Sequence, residues 1–453
     1  MFRKHDRLRV VRAGVDWVVC SPWRSFLVIF LFSFTIHVNQ LNQIPSRHLI
    51  PNAYRELGAI TISLTKTGQF ANPYMIPTGP TAHLPPIIPY IISLIYRWFG
   101  LTYQAGYVSR LFVIANGSLL YAMLPWLSDK LGTTRYAGFM GGIAGVLLIE
   151  WHGHGEYLTG IVMGLLLVAF LRRWTKNSIS WTGSFLLGLA IGAAFHLQPA
   201  LLPVMLGCMA FELWWSRSHR RWAFLSVLAL GVVIACIPWG WRNYTTFNAL
   251  FFVRSNLGLE LRLGNHEGAA AMMDVLVAPE EPRHPKAHFA EARKLREVGE
   301  IAYMRQAGYE ALEWIRTNPG DFTWLTLQRF ANLWAGPLHR PKAAAGVFAL
   351  TILAFWGAWR TFPGLTIPQR ASFLIPLATY PIIYYMVAYM PRYRVPIDWI
   401  LFILAGAAVW SWRREETGIR ANYERAASIG AHRDLSQTKN VYSCDQEAGA
   451  MDK

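Results

Sequence analysis

Between Asn39 and Tyr107 the chain carries a single carboxylate, Glu56. If this segment supplies a general base, Glu56 is that base, because a carboxylate placed beside a hydroxyl takes its proton as the oxygen attacks. The alternative is a surface glutamate paired with Arg55 or Arg47. Near the far end, Met390-Pro391-Arg392-Tyr393-Arg394-Val395-Pro396 puts two arginines at the start of the last apolar run. Guanidinium groups bind phosphate through paired N–H donors, so a lipid phosphate or pyrophosphate suits them. Headgroup anchoring is the alternative. From Pro238 to Asn265, Arg242, Arg254 and Arg262 alternate with aromatics and with Asn243, Asn256 and Asn265. That run has strand-like or irregular character. It fits either a lipid phosphate or ordinary anchoring by Arg and Trp.

Two further constellations carry less chemistry. Glu150-Trp151-His152-Gly153-His154-Gly155-Glu156 has a His-x-His core with flanking acids, a pattern that can hold a divalent metal. Its two glycines suit a tight turn between helices better. After His284-Pro285, apolar residues recur at helical spacing from Ala287 to Tyr303. They predict two amphipathic helices, ended by Asn318-Pro319-Gly320, with Glu291 and Glu300 either in a site or on solvated faces. No phosphate-binding glycine loop, dinucleotide fingerprint or H-E-x-x-H word occurs, so ATP-driven transport and zinc-protease chemistry have no support.

The elements that must hold these residues are membrane helices. Of 453 residues, 53% are hydrophobic and 15% charged, with 20 tryptophans. Such a composition excludes a disordered or collagen-like chain. The net charge of +17 suggests nucleic acid only in a soluble protein; here cytoplasmic loops account for it. Apolar runs fall near 26–38, 108–127, 137–150, 157–171, 181–197, 199–215, 222–239, 343–359, 371–389 and 396–412, about ten spans. The segment 84–99 is apolar but opens with Pro85, Pro86 and Pro89, and reads as a helix lying at the interface. Short loops with Lys130, Arg135, Arg172, Arg173, Lys176, Arg217, Arg220, Arg221, Arg360 and Arg370 are assigned inside, and lysine-free, arginine-free 151–156 and 197–199 outside. Both termini are then cytoplasmic, residues 1–24 form a cytoplasmic lead, 39–107 and 240–342 lie outside, and 413–453 is a polar, disordered extension. Cys20, Cys208, Cys236 and Cys444 are too scattered for a disulfide framework or a C-x-x-C site.

Several words now resemble one family. E-L-G-x-I-x-x-S-L-x-x-x-G from Glu56 to Gly68 and P-T-G-P-T-A from Pro77 to Ala82 are similar to a bacterial subgroup of the GT-C membrane glycosyltransferases. So are R-S-N-x-G-L-E-L-x-L-G-N from Arg254 to Asn265, the pattern of His284, Glu291 and Glu300, and R-Y-R-x-P from Arg392 to Pro396. That subgroup is the family 39-like one, with protein mannosyltransferase and aminoarabinose transferase relatives. The resemblance spans roughly residues 25–412 and excludes the tail.

The resemblance implies an all-α polytopic fold and a sugar donor linked to polyprenyl phosphate. It implies an envelope lipid, glycan or protein acceptor, a site on the non-cytoplasmic face of the inner (plasma) membrane, and inverting transfer. A first-loop carboxylate is then the base. Better-known members carry an Asp-Glu pair soon after the first span; here only Glu56 stands there, so either it takes that role or the chain is inactive. Arg392, Arg394 and Arg254 would hold the donor phosphate. Asn256, Glu260, Asn265, His83 and His284 would line the substrate site, with His83 standing where relatives often have an aromatic. No cofactor is expected, and a divalent metal requirement stays open. The alternatives are a lipid-linked glycan flippase, which needs polar groups inside the spans, and a non-catalytic scaffold of an envelope assembly. The apolar runs are nearly free of ionisable residues, which weighs against transport.

Overall fold

A computed structural model describes residues 13–148, 153–175, 179–216, 219–273, 283–337 and 339–411. Among them the chain is almost wholly helical, with no strand and only two isolated β-bridges, Ala71 to Pro80 and Met272 to Tyr389. The expected N-terminal lead lies largely, and the polar tail almost wholly, outside the described residues.

Five helices are long and apolar enough to cross a membrane: Pro22–Asn42, Glu156–Thr175, Arg221–Phe247, Pro341–Gly364 and Pro391–Ser411. A sixth crossing is available if Tyr103–Ala122 and Leu124–Lys130, bent by 41°, count as one. Ile87–Phe99, Arg135–Leu148, Trp181–Leu197 and Leu201–Ser216 are apolar but only 10–17 residues long. Five or six helices thus reach the roughly 20 apolar residues of a full crossing, and several of the roughly ten expected spans are the shorter helices, so the count of ten is not confirmed. The run 371–389 is also divided: Ile367–Thr379 stops before Pro381, and the short helix Ile382–Met386 follows. Proline cannot donate the amide that would continue the ladder.

Local signals explain the element ends. Ser21 caps the first long helix and Pro22 opens it. Gly68, at φ 73°, ends Glu56–Thr67 where the sequence places a turn. The Pro/Gly loop that follows is pinned by Asn72, whose Oδ1 accepts from the Thr78 and Gly79 amides at 3.1 and 2.9 Å. Ile87–Phe99 buries Ile88, Ile92 and Tyr96 on one face and exposes Tyr90, Leu94 and Trp98 on another, so both faces are apolar.

The expected irregular run 238–265 is corrected in two places. The helix His219–Phe247 continues past Pro238, and Leu257–Gly264 is helical rather than strand-like. Gly258 and Gly264 let that second helix pack closely. A Cβ at Gly258 would meet the Met304 carbonyl oxygen at 1.9 Å, and one at Gly264 the Ala388 nitrogen at 2.7 Å. The helix thus packs backbone-close against Glu300–Thr317 and against the approach to Arg392. The region after His284 holds three helices: Phe289–Val298, Glu300–Thr317 and Pro319–Ala335. The breaks fall at Gly299, with φ 83°, and at Asn318-Pro319.

A large apolar core runs through the long helices, built around residues such as Phe170, Phe373, Tyr380, Trp399 and Phe402. The helices are less free of charge than the sequence suggests. Buried Glu212 accepts from Arg173 Nε at 2.8 and 2.7 Å and lies 3.6 Å from Arg221, while Arg173 also donates to Ser184 at 2.7 Å. These charges sit near the ends of Glu156–Thr175 and Leu201–Ser216, where the apolar runs conceal them.

Candidate active site

Glu56 is the first residue of its helix. Gly58 brings the preceding loop onto that helix: a Cβ there would meet the Asn52 carbonyl oxygen at 2.1 Å. Gly106 does the same for Leu49, whose carbonyl oxygen would lie 1.5 Å from an added Cβ. The loop carrying Arg55 and Glu56 is therefore seated by backbone contact that no larger residue permits.

The Glu56 carboxylate faces His284, with Oε1 3.6 Å from Nε2. Burial pushes its pKa up, but the facing His284, its own backbone N–H and the Lys286 ammonium outweigh burial and hold it below the usual carboxylate value. The ammonium of Lys286 is tied to loop carbonyls, donating to Ala53 at 2.5 Å and to Pro73 at 3.2 Å. Burial lowers the Lys286 pKa and Glu56 partly restores it.

His83 is buried beside this group. Its Nδ1 pairs with the Tyr74 hydroxyl at 3.0 Å, and the two rings meet edge to face. Burial lowers its pKa to about 3, with Glu56 opposing and His284, Arg254 and Lys286 reinforcing the drop. His83 is thus neutral at any physiological pH, and it lies within Coulombic reach of both Glu56 and Arg254.

Buried Glu300 ties the two polar segments together. It accepts from the Ala82 amide at 2.8 Å and from the Ser255 hydroxyl at 2.6 Å, while the Ser255 amide donates to the Ala82 carbonyl at 2.9 Å. The neighbours of this clamp are His83 and Arg254. Burial raises the Glu300 pKa against the hydrogen bonds that lower it. Glu291 has a parallel task one helix earlier: it accepts from Tyr303 and, at 2.8 Å, from Arg262, and Arg262 donates onward to the Arg283 carbonyl at 2.7 Å. Glu291 and Glu300 are therefore neither site acids nor solvated surface groups; they fix the loops that carry His284, His83 and Arg254.

The arginines divide. Arg242 donates to the Thr81 and Phe70 carbonyls at 2.8 and 3.1 Å and packs on Trp239 and Phe247. Arg262 is paired with Glu291 and Glu310. The expected cluster of three thus leaves Arg254, which makes no ion pair or side-chain hydrogen bond among the described residues and lies near Tyr384 and Tyr393. Tyr393 stacks on Tyr384 with ring centres 4.5 Å apart and also feels Arg392. Arg392, with 40% of its side chain exposed, has one ion-pair contact, 3.8 Å from Glu156. Arg394 turns the other way: it donates to Asp398 at 2.6 Å and to the Leu333 carbonyl at 3.1 Å, and is buried.

Of the expected substrate residues, Asn256 donates to Glu260 at 2.8 Å and keeps a buried Oδ1 with no hydrogen-bond partner among the described residues. Glu260 lies within Coulombic reach of Arg392 and Tyr393. Asn265 is held away from them. It donates to the Leu261 and Met386 carbonyls, both at 2.8 Å, and accepts from fully buried Arg329 at 3.2 Å. In the His-x-His turn, Glu150 and His152 lie outside the described residues. His154 pairs with Ser109 at 3.2 Å, and burial with Arg110, Arg55 and Arg392 nearby lowers its pKa to about 4. No group of three or more His, Cys, Asp or Glu side chains suited to a metal occurs among the described residues.

No family model matches the chain, and no curated protein does. Among solved structures it is similar to ArnT from Cupriavidus metallidurans bound to undecaprenyl phosphate, with 13% identity, 85% of this chain and 77% of that one covered, and a TM-score of 0.33. A likeness that distant carries no weight for the chemistry.

Proposed function

We propose that this protein is a membrane glycosyltransferase of GT-C type that moves a sugar from a polyprenyl-phosphate donor to an envelope acceptor at the outer face of the inner membrane. One observation carries the reading: Glu56, its pKa lowered at a helix start, lies within Coulombic reach of His83, which also lies within reach of Arg254, an arginine with no ion-pair partner among the described residues. Glu56 takes the proton of an acceptor hydroxyl, which typically contributes about 10²–10⁴-fold. The freed oxygen attacks the anomeric carbon as the bond from that carbon to the phosphate oxygen breaks. Arg254 and Arg392 stabilise the charge growing on the departing polyprenyl phosphate. One base with no second carboxylate beside it favours a single, inverting displacement. Arg394, already paired with Asp398, supports the turn that presents Arg392. The donor chain lies in the bilayer along the exposed apolar face of Ile87–Phe99.

The test is a mass comparison of envelope lipids and glycans between a knockout strain and the same strain carrying the wild-type gene. A species that differs by one sugar residue and returns with the gene supports the reading. Identical profiles contradict it and favour a scaffold role.

A further inference from the structure

His284 carries a hydrogen-bond pattern that fixes its tautomer. The backbone N–H of Lys286 donates to His284 Nδ1 at 2.9 Å. A backbone amide can only donate, so Nδ1 carries the lone pair and the proton of the neutral ring sits on Nε2. That nitrogen is the one facing Glu56, 3.6 Å from Oε1. The ring is held in this pose by its surroundings. Ala287 and His288 N–H groups both bond the His284 carbonyl at 2.9 Å, and the Tyr74 ring stands edge-on, 6.3 Å between centres.

We infer that His284 is a positioning residue that donates its Nε2–H to one oxygen of the Glu56 carboxylate and leaves the other oxygen to receive the acceptor proton. The inference rests on the glycosyltransferase reading and deepens it. The same geometry excludes a different role. A relay imidazole must accept a proton at one nitrogen and release it from the other, yet here one nitrogen is already protonated and the other is covered by an amide donor. His284 therefore orients the base and does not shuttle its proton. At 3.6 Å the contact is longer than a formed hydrogen bond; catalytic contacts of this kind commonly tighten when substrate is bound. The Lys286 amide thus acts on Glu56 through the ring, by choosing which imidazole nitrogen carries hydrogen.

Two substitutions separate the ring's halves. Gln places an amide N–H donor near the position of Nε2, whereas Asn places an acceptor near Nδ1 and reaches Glu56 with nothing. His284→Gln, His284→Asn and Glu56→Gln are expressed at matched membrane abundance in the knockout strain, and the sugar-bearing envelope product is measured by mass spectrometry. His284→Gln is expected to keep product within about threefold of wild type and His284→Asn to lose about 10- to 100-fold, the loss of one charge-assisted hydrogen bond to the base. Equal activity in the two variants, or greater activity in His284→Asn, overturns the inference. A second measurement needs no substrate: nitrogen-15 spectra of full-length, histidine-labelled protein in lipid nanodiscs, with His284 assigned by its loss in His284→Gln. A protonated Nε2 and a bare Nδ1 are expected; the opposite tautomer overturns the inference. If Glu56→Gln is inactive while His284→Asn is normal, only the positioning role fails. If Glu56→Gln makes normal product, the glycosyltransferase mechanism itself fails.

Discussion

Ser255 donates its backbone N–H to the Ala82 carbonyl at 2.9 Å, and this one bond joins two segments 173 residues apart along the chain. Because His83 follows Ala82 and Arg254 precedes Ser255, the bond sets a neutral imidazole beside a guanidinium with no ion-pair partner among the described residues. Glu300 completes the join by accepting from both Ala82 and Ser255. The placement of His83 beside Arg254 thus depends on a buried acid that is not itself among the proposed catalytic groups.

Glu300 gives a stability prediction with a built-in control. Glu300→Ala removes the acceptor and leaves a buried amide and hydroxyl unsatisfied, at a cost of about 1–3 kcal/mol. Glu300→Gln keeps a carbonyl oxygen for both donors and escapes the burial cost of a charge. Thermal unfolding in detergent should show Glu300→Ala clearly destabilised and Glu300→Gln close to wild type. The raised folded-state pKa of Glu300 means its folded form binds a proton more tightly than the unfolded form. Its ionisation therefore lowers stability as pH rises through the unfolded and then the folded value, and Glu300→Gln should remove that part of the pH dependence.

Arg392 and Arg394 should part company on mutation. Arg392 has one long ion-pair contact, so Arg392→Ala should leave membrane abundance intact and cut product by about 10²–10³-fold, the usual effect of removing one group that stabilises developing negative charge. Arg394→Ala strands buried Asp398 and should cost about 3–5 kcal/mol of stability. Western blots of membrane fractions, read beside product yield, distinguish the two outcomes.

In the proposed mechanism, the acid side of the pH–rate profile belongs to Glu56. Its carboxylate must be ionised to act, and its lowered pKa places the loss of activity below the range of an ordinary glutamate. Lys286→Met removes one of the charges that lower it, so the acid limb should move to higher pH. His83 contributes no inflection between pH 5 and 8, because its pKa is near 3. A profile measured on reconstituted protein that moves to lower pH in Lys286→Met contradicts this electrostatic picture.

Gly58→Ala should impair activity without touching the chemistry. A methyl group there would meet the Asn52 carbonyl oxygen at 2.1 Å, so the loop leading into Glu56 must shift. Product should fall with little loss of membrane abundance, whereas Gly346→Ala, which meets nothing within 4 Å, should behave as wild type.

Much of the fold was legible because long helices announce themselves through apolar runs and their ends through Pro22, Gly68 and Asn318-Pro319. Span lengths were not legible where helices stop early, as at Pro381, or bend, as at Met123. Arg242, Arg254 and Arg262 look alike in the sequence. What separates them is which carbonyls and carboxylates the fold delivers, and those come from Phe70, Thr81, Glu291 and Glu310, far away along the chain. The same holds for Arg392 and Arg394: a turn of 3-10 helix points one outward and the next inward, four residues short of Asp398. Gly258 and Gly264, in the Arg254 to Asn265 word, prove to be packing contacts that nothing in the sequence signals. The clamp at Glu300 had one visible signal, its place after Gly299 in a helix that otherwise alternates polar and apolar faces.

The most direct measurement is the envelope product made by the knockout strain carrying Glu56→Gln, with membrane abundance of the variant checked in parallel. The account predicts wild-type abundance and no sugar-bearing product. Normal product from that variant would contradict it, since no other carboxylate between Asn39 and Tyr107 is available to take the proton.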